Sequence, residues 1–353
     1  MNRIRGFLSK VSKGFAFFRK TLTNRAVREN AILLLTAPLF PKLHIRLRVK
    51  YGHYIPENPI DLSHPKLFNE KLLWLQYYIY NKSPLVQQCY DKYRVRDFVR
   101  QQGCEYTLNP IYGVWDDMND IPWDSLPAQC AIKATSGWSN HVFRTHGEPV
   151  DPEQAKERLR RWEKQRITFR QEGILFAAKE NQHYICEHLM TADGGGFPSD
   201  YKFYCFHGEP RYVLWISDRF SGETPIEVYK DVDCNDRQDI CNEFRYAEAP
   251  KPSCYDEMLD IARKLSAPFP FVRVDLYDIG GKPVFGELTF APGGQHSAAA
   301  QKEMGALIHM ERMKEYKKLF FPAERDVGKR MNAAHTFKKI GEKCGLCKVY
   351  NDV

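Results

Sequence analysis

The stretch Phe271-Val272-Arg273-Val274-Asp275-Leu276-Tyr277-Asp278-Ile279-Gly280-Gly281-Lys282-Pro283-Val284-Phe285-Gly286-Glu287-Leu288-Thr289-Phe290 sets charged side chains inside two strand-like runs. Successive strand residues point to opposite faces, so Arg273 and Asp275 share one face while Val272, Val274 and Leu276 take the other. Glu287 and Thr289 likewise share a face, opposite Leu288 and Phe290. Gly280-Gly281 is a turn signal, and a hairpin closed symmetrically about it pairs residues whose numbers sum to 562. Asp275 then faces Glu287, and Arg273 faces Thr289. Directly opposed side chains have Cβ atoms about 4.5 to 5.5 Å apart. Two carboxylates that close repel unless a cation lies between them or they share a proton. Oxygen ligands at that spacing suit Mg²⁺, which usually takes one or two carboxylates and completes its shell with phosphate and water. The plainer reading is a pair of solvated acids on an edge hairpin.

A metal-bridged triphosphate also needs cations on a second wall. Lys133 and Lys202 each stand among apolar strand neighbours, where an ammonium is costly unless it points at an anion. After Lys133, the run Ser136-Gly137-Trp138-Ser139-Asn140 offers small residues and backbone N–H groups that can close over phosphates. No P-loop or dinucleotide fingerprint is present. A nucleotide would therefore sit between hairpins and not on a helix N-terminus.

Around this centre, periodicity predicts helices over residues 68–80, from Pro84 to about Gly103, and from Asp151 to about Gln171. A further helix is expected to start at Ser253, with Asp256 as its capping partner and Met258, Ile261, Ala262 and Leu265 on its apolar face. Residues 131–134, 141–144 and 184–187 read as strands, and 200–207 with 211–217 as a hairpin turning about Gly208-Glu209-Pro210. The composition is that of a folded chain, 43% hydrophobic and 27% charged.

Charge is unevenly placed. Residues 1–50 hold twelve Lys or Arg against Glu29 alone, a net +11; with +8 for the whole chain, the remainder carries −3. The body gives no electrostatic case for nucleic acid. The basic segment mixes cations with Phe7, Phe15, Phe17 and Phe18, a pattern compatible with an anionic membrane surface, with packing on the body, or with plain solvation. Its longest apolar run, 31–40, is interrupted by Thr36 and Pro38 and is too short to span a bilayer. The first 30 residues lack the features of a secretory signal. Cys89, Cys130, Cys186 and Cys205 fall inside apolar runs, and Cys344-Gly345-Leu346-Cys347 has no second pair at zinc spacing. A reducing, cytoplasmic setting is expected.

The chain resembles the TupA-like branch of the ATP-grasp superfamily, found among bacterial capsule and cell-wall polymer genes. The resemblance spans roughly residues 60–325. It rests on Leu67-Phe68-Asn69-Glu70-Lys71-Leu72, Asp91-Lys92-Tyr93, Gly113-Val114-Trp115, Ile132-Lys133, Tyr201-Lys202-Phe203-Tyr204, and the 271–294 block ending in Pro292-Gly293-Gly294. It implies an α+β ATP-grasp fold, a nucleotide held between two α+β lobes built from antiparallel sheets, and a helical N-terminal region. The expected divisions are a basic segment 1–50, a helical lobe 51–125, a small lobe 126–190 with the lid loop, a large lobe 191–325 with the metal site, and a tail 326–353.

By that resemblance, Lys133 and Lys92 contact the ATP phosphates, and Ser136, Gly137 and Ser139 form the lid. Glu187, with the backbone of His188 and Leu189, reads adenine and ribose. Asp275, Glu287 and Thr289 hold magnesium, Thr289 standing where the superfamily often has Asn. Arg273 stabilises the acyl phosphate, with Lys202 and Arg219 as further anion contacts. The implied activity is an ADP-forming carboxylate–amine ligase with ATP and Mg²⁺ as cofactors. Its partners would be an amino acid or amine and a uronic acid or glutamyl carboxylate of a surface polysaccharide or its precursor. Two rivals are a glycosyltransferase using Asp231-Val232-Asp233 as a D-x-D motif, and a non-catalytic nucleotide-binding protein.

Overall fold

The structure is a computed structural model and describes residues 25–51, 60–138, 141–145, 147–177, 183–192, 195–217, 226–241, 250–294 and 296–320. Ser139, Arg219, the first 24 residues of the basic segment and the tail with Cys344 and Cys347 lie outside the described residues. The helices are α1 (Arg25–Thr36), α2 (Pro41–Lys50), α3 (Phe68–Tyr78), α4 (Pro84–Tyr90), α5 (Val95–Gln101), α6 (Pro152–Gln171), α7 (Tyr255–Ser266), α8 (Ala298–Ala306) and α9 (Met313–Phe320). The strands are β1 (Ile111–Trp115), β2 (Cys130–Ala134), β3 (His141–Arg144), β4 (Tyr184–His188), β5 (Asp200–Phe206), β6 (Glu209–Ser217), β7 (Ile226–Asp231), β8 (Phe271–Ile279) and β9 (Lys282–Thr289).

These strands make two antiparallel sheets, a mixed α+β architecture. The first runs β1-β4-β2-β3 and the second β7-β6-β5-β8-β9. On the first, Cys130, Ile132, Ala134, Tyr184 and Cys186 pack with Ala155 and Leu159 of α6. Strand alternation then leaves Lys133 and Glu187 on the opposite face. On the second, α7 presents Met258, Ile261, Ala262 and Leu265, all fully buried, to β5, β6 and β8. Burying each large aliphatic is worth about 1.5–3 kcal/mol, which fixes the face of this sheet that bears Val272, Val274 and Leu276.

The hairpin register agrees with the sequence reading where it matters. Arg273 pairs with Thr289, Val274 with Leu288 and Asp275 with Glu287. Beyond Asp275 the sum rule fails by one, because Leu276 pairs with Phe285 and Gly286 is the extra residue of a bulge. A Cβ at Gly286 would lie 2.9 Å from the Tyr277 ring and 3.0 Å from the Asp275 carbonyl oxygen, so the bulge needs glycine.

Several local expectations are corrected. The helix expected over 84–103 is broken into α4 and α5 at Asp91, whose backbone is extended and whose carboxylate accepts from the N–H groups of Tyr93 and Arg94. The helix expected over 68–80 ends at Tyr78 and continues as a 3₁₀ turn, Tyr80–Lys82. Cys254, not Ser253, is the residue before α7, and it makes no side-chain cap. The β5–β6 turn is the tighter pair His207-Gly208, both with positive φ, which puts Glu209 and Pro210 in the strand. Helix α6, for all its charge, buries Ala155, Leu159 and Phe169.

The helical region ties the sheets together. Tyr80 donates its hydroxyl to the Phe271 carbonyl at 2.7 Å. The Lys92 N–H donates to Thr135 O at 3.0 Å, and Thr135 Oγ1 donates to Asp91 Oδ2 at 2.8 Å. Glu70 accepts from the N–H groups of Asp61, Lys66 and Leu67, and Lys71 Nζ donates to the carbonyls of Gly305 and Ile308, each at 2.7 Å. Both charges of the Asn69-Glu70-Lys71 motif are thus spent on backbone groups, N–H groups ahead of α3 for Glu70 and carbonyls at and just past the end of α8 for Lys71.

Candidate active site

Register across the second sheet lines up Lys202 on β5, Asp275 on β8 and Glu287 on β9, with Tyr204, Arg273 and Thr289 in the adjacent row. Lys202 Nζ lies 2.6 Å from Asp275 Oδ2 and 3.3 Å from Asp200 Oδ1. Arg273 meets Asp275 through Nε and Nη2, each at 2.7 Å, and its Nη2 donates to Thr289 Oγ1 at 3.1 Å. The same Nη2 is 3.6 Å from Glu287 Oε1, which also accepts from Thr289 Oγ1 at 3.1 Å. The cation between the two opposed acids is therefore Arg273. Asp275 is 1% exposed, whereas the Glu287 side chain is 45% exposed and is the open member of the pair.

Burial works against the Asp275 carboxylate, but Arg273 and then Lys202 outweigh it and hold its pKa below the usual carboxylate range. Burial also works against the Arg273 guanidinium, and Asp275 more than compensates, holding its pKa above the usual value.

The first sheet supplies the second wall. Lys133 Nζ lies 2.6 Å from Glu187 Oε2, and Arg96 Nη1 approaches Glu187 Oε1 at 4.0 Å. Lys92, between α4 and α5, donates from Nζ to the Gly137 carbonyl at 2.8 Å. Burial lowers the Lys92 pKa; Lys133 adds to the shift, while Glu287, Asp91 and Glu187 oppose it. That set of neighbours spans both sheets. Lys92 is where the wall of Lys133 and Glu187 meets the row ending in Glu287.

The described part of the β2–β3 loop, through Trp138, is docked. Gly137 has φ +83°, a backbone that favours glycine. Trp138 exchanges two hydrogen bonds with Gln165 of α6, N–H to Oε1 at 3.1 Å and Nε2–H to carbonyl at 2.7 Å, and its ring lies edge-on to Phe169. Ser136 lines a cavity of about 260 Å³ with Gln87, Tyr90, Asp91, Arg94, Phe176 and His183. That cavity includes none of the charged groups of the two rows.

The expected hinge is partly committed. The His188 N–H donates to Pro110 O at 2.9 Å, and its carbonyl accepts from Asn109 Nδ2 at 2.8 Å, so its backbone is not open to adenine here. Leu189, just past the strand, is buried. Two participants went unassigned in the sequence: Asp200, the second acid on Lys202, and Arg96, the second cation on Glu187. The Asp200-x-Lys202 alternation carried a signal for the first. The second depends on α5 bringing Arg96 to Glu187 of β4.

A family model described as TupA-like ATPgrasp matches residues 70–312. The chain belongs to the TupA-like ATP-grasp family. Membership bears out the ATP-grasp fold and the ligase class read from the sequence. No curated protein matches the sequence. Among solved structures, the chain is similar to a D-alanine–D-alanine ligase from Bacillus anthracis complexed with ATP, at 16% identity and TM-score 0.41, covering 66% of this chain and 69% of that one. It is similar to an L-amino acid ligase from Bacillus licheniformis at 14% identity and TM-score 0.37, covering 60% of this chain and 44% of the other. It is also similar to the ATP-grasp ligase PsnB complexed with minimal precursor, at 14% and 0.36, covering 71% and 68%.

For this ATP-grasp chain, the donor set of Asp275, Glu287 and Thr289 is all oxygen and fits magnesium chemically. It is not preformed, because both Asp275 oxygens are paired with cations. The D-x-D reading fares worse. Asp231 closes a turn, its Oδ1 accepting from the N–H groups of Asp233 and Asn235 and its Oδ2 from Asn235 Nδ2.

Proposed function

We propose that the chain is an ADP-forming carboxylate–amine ligase acting through an acyl phosphate, with ATP and Mg²⁺ as cofactors. The observation that carries this is the meeting of two charged walls at Lys92: its N–H donates to the Thr135 carbonyl just past β2 and its ammonium to the Gly137 carbonyl, while α4, the helix before it, packs against β9, the strand of Glu287. Lys133 and Lys92 bind phosphate oxygens in place of their present carboxylate and carbonyl partners, and the Ser136-Gly137 loop closes over them. Glu187 and the Leu189 backbone orient the nucleoside. Asp275, Glu287 and the Thr289 hydroxyl are the groups that would hold magnesium, which when bound offsets the charge of the phosphates.

A carboxylate oxygen of the substrate bonds to the γ-phosphorus while the bond to the β–γ bridging oxygen breaks and ADP leaves. The amine then bonds to the acyl carbon, phosphate departs with the C–O electron pair, and the amine gives up a proton to water. Arg273 and Lys202, with Arg219 as a further candidate, stabilise the charge that develops on the acyl phosphate and the tetrahedral intermediate. Neither step needs a protein nucleophile.

For substrates, the family resemblance supports an amino acid and a uronic acid or glutamyl carboxylate of a surface polysaccharide or its precursor. The eight free thiols among the described residues support a cytoplasmic place of work. The test is ADP release by the purified chain, with amino acids crossed against uronic-acid glycans. Release that needs both a carboxylate and an amine supports the reading. UDP release from UDP-sugars with no ATP requirement contradicts it.

A further inference from the structure

Among the described residues, the helical pair α1–α2 meets the body along one face. Leu33 and Ala37 are buried, and Ile45 packs with Leu62 and Tyr77. His44 Nδ1 meets the Tyr77 hydroxyl at 2.5 Å, and Arg48 Nη1 donates to the Glu172 carbonyl at 3.1 Å. The other face is unusually apolar for a surface. Leu35 is 70% exposed and Leu39 45%, with Leu34, Phe40, Leu43 and Val49 each at 37%. Six of the eleven exposed large apolar or aromatic side chains among the described residues thus fall within positions 34–49.

Scattered exposed leucines need no explanation, whereas a contiguous group marks a contact surface. Five of these six lie within ten positions, on the last turn of α1, the connecting turn and the first turn of α2. They form the tip of a hairpin.

Charge identifies the occupant. Lys42, in the first turn of α2, and Arg46 and Lys50, one and two turns further along it, are exposed, and residues 1–50 carry a net +11 against −3 for the rest of the chain. An apolar tip continued by a row of lysine and arginine fits an interface with hydrocarbon beneath and anionic headgroups above it. No helix among the described residues is long and apolar enough to cross a membrane. We infer that the α1–α2 tip docks on an anionic lipid bilayer, with Leu35 and Leu39 entering the acyl boundary and Lys42, Arg46 and Lys50 on the headgroups. The surface is built independently of the charged walls, and the inference stands whatever the ligase acts on.

Flotation of the full chain with phosphatidylcholine vesicles, with and without phosphatidylglycerol, tests this. The chain is expected to float only with phosphatidylglycerol. The Leu35→Glu/Leu39→Glu variant should lower partitioning at least about tenfold, since each leucine lost from an apolar phase is worth ~1.5 kcal/mol or more. The Lys42→Glu/Arg46→Glu variant should lower it by about tenfold or more at low salt, at roughly 1 kcal/mol per basic residue near the surface. Because Leu35 and Leu39 are exposed, their replacement should leave the melting temperature unchanged, and Leu35→Ser serves as a milder second variant. Absence of flotation overturns the inference. So does equal flotation of the leucine variants, which would leave binding to the rest of the basic segment, or a dimer in gel filtration that those variants dissociate without any lipid binding.

Discussion

Lys202 and Asp275 are register partners on neighbouring strands, and their 2.6 Å ion pair occupies one of the two oxygens that a metal would use. The other oxygen faces Arg273 Nε at 2.7 Å. The expected magnesium ligand and the expected anion-binding cations thus neutralise each other, and ligand binding must exchange these partners rather than fill a prepared cage.

Asp275→Asn is expected to be costly twice. Removing the charge leaves the buried Lys202 and the part-buried Arg273 undercompensated, which costs about 3–5 kcal/mol of stability, and ADP formation should fall by at least about a hundredfold. Chemical denaturation and a steady-state ADP assay read the two losses separately. The folded carboxylate pKa is depressed, so its stabilisation is full above the unfolded value of 3.8 and is lost as pH falls through the folded value. In the variant, that part of the acid-side slope should vanish.

Lys133→Ala removes the 2.6 Å contact with Glu187 and, on the proposed reading, a phosphate contact. The KM for ATP should rise by about 10- to 100-fold, the worth of one charge-assisted hydrogen bond. Lys92→Met should do the same and also free the Gly137 carbonyl, loosening the loop; hydrogen exchange at 135–138 would report it.

Asp231→Asn separates the ligase from its transferase rival. Asp231 holds a turn, so the expected result is a loss of about 1 kcal/mol in stability with ADP formation unchanged. UDP release from UDP-sugars by wild type, abolished in this variant without loss of stability, would restore the D-x-D reading.

His296 is 7% exposed among the rings of Phe68, Tyr204 and Tyr229, and burial pulls its pKa from 6.5 to about 4. The unfolded chain binds a proton there between those values and the folded chain does not, so stability falls as pH drops from 6.5 towards 4. His296→Phe should shrink the fall in melting temperature between pH 7 and pH 5, measured by differential scanning fluorimetry.

What the sequence revealed followed from short-range rules. Two-residue alternation and Gly280-Gly281 suffice to set Asp275 against Glu287, and helical spacing suffices for Met258 to Leu265. What it concealed depends on distant partners. The break at Asp91 is held partly by Thr135, 44 positions further along the chain. Gly286 reads as an ordinary strand glycine until its neighbours Tyr277 and the Asp275 carbonyl are known. Alternation puts Asp200 and Lys202 on one face but does not show that Asp275, across the strand pair, already holds the ammonium.

Isothermal titration of the full chain with ATP in the presence of magnesium, on wild type, Lys133→Ala and Glu287→Gln, bears most directly on the two-wall site. Saturable binding by wild type, weakened at least about tenfold in each variant, is the predicted result. No binding by wild type, or equal affinity in all three proteins, would contradict it.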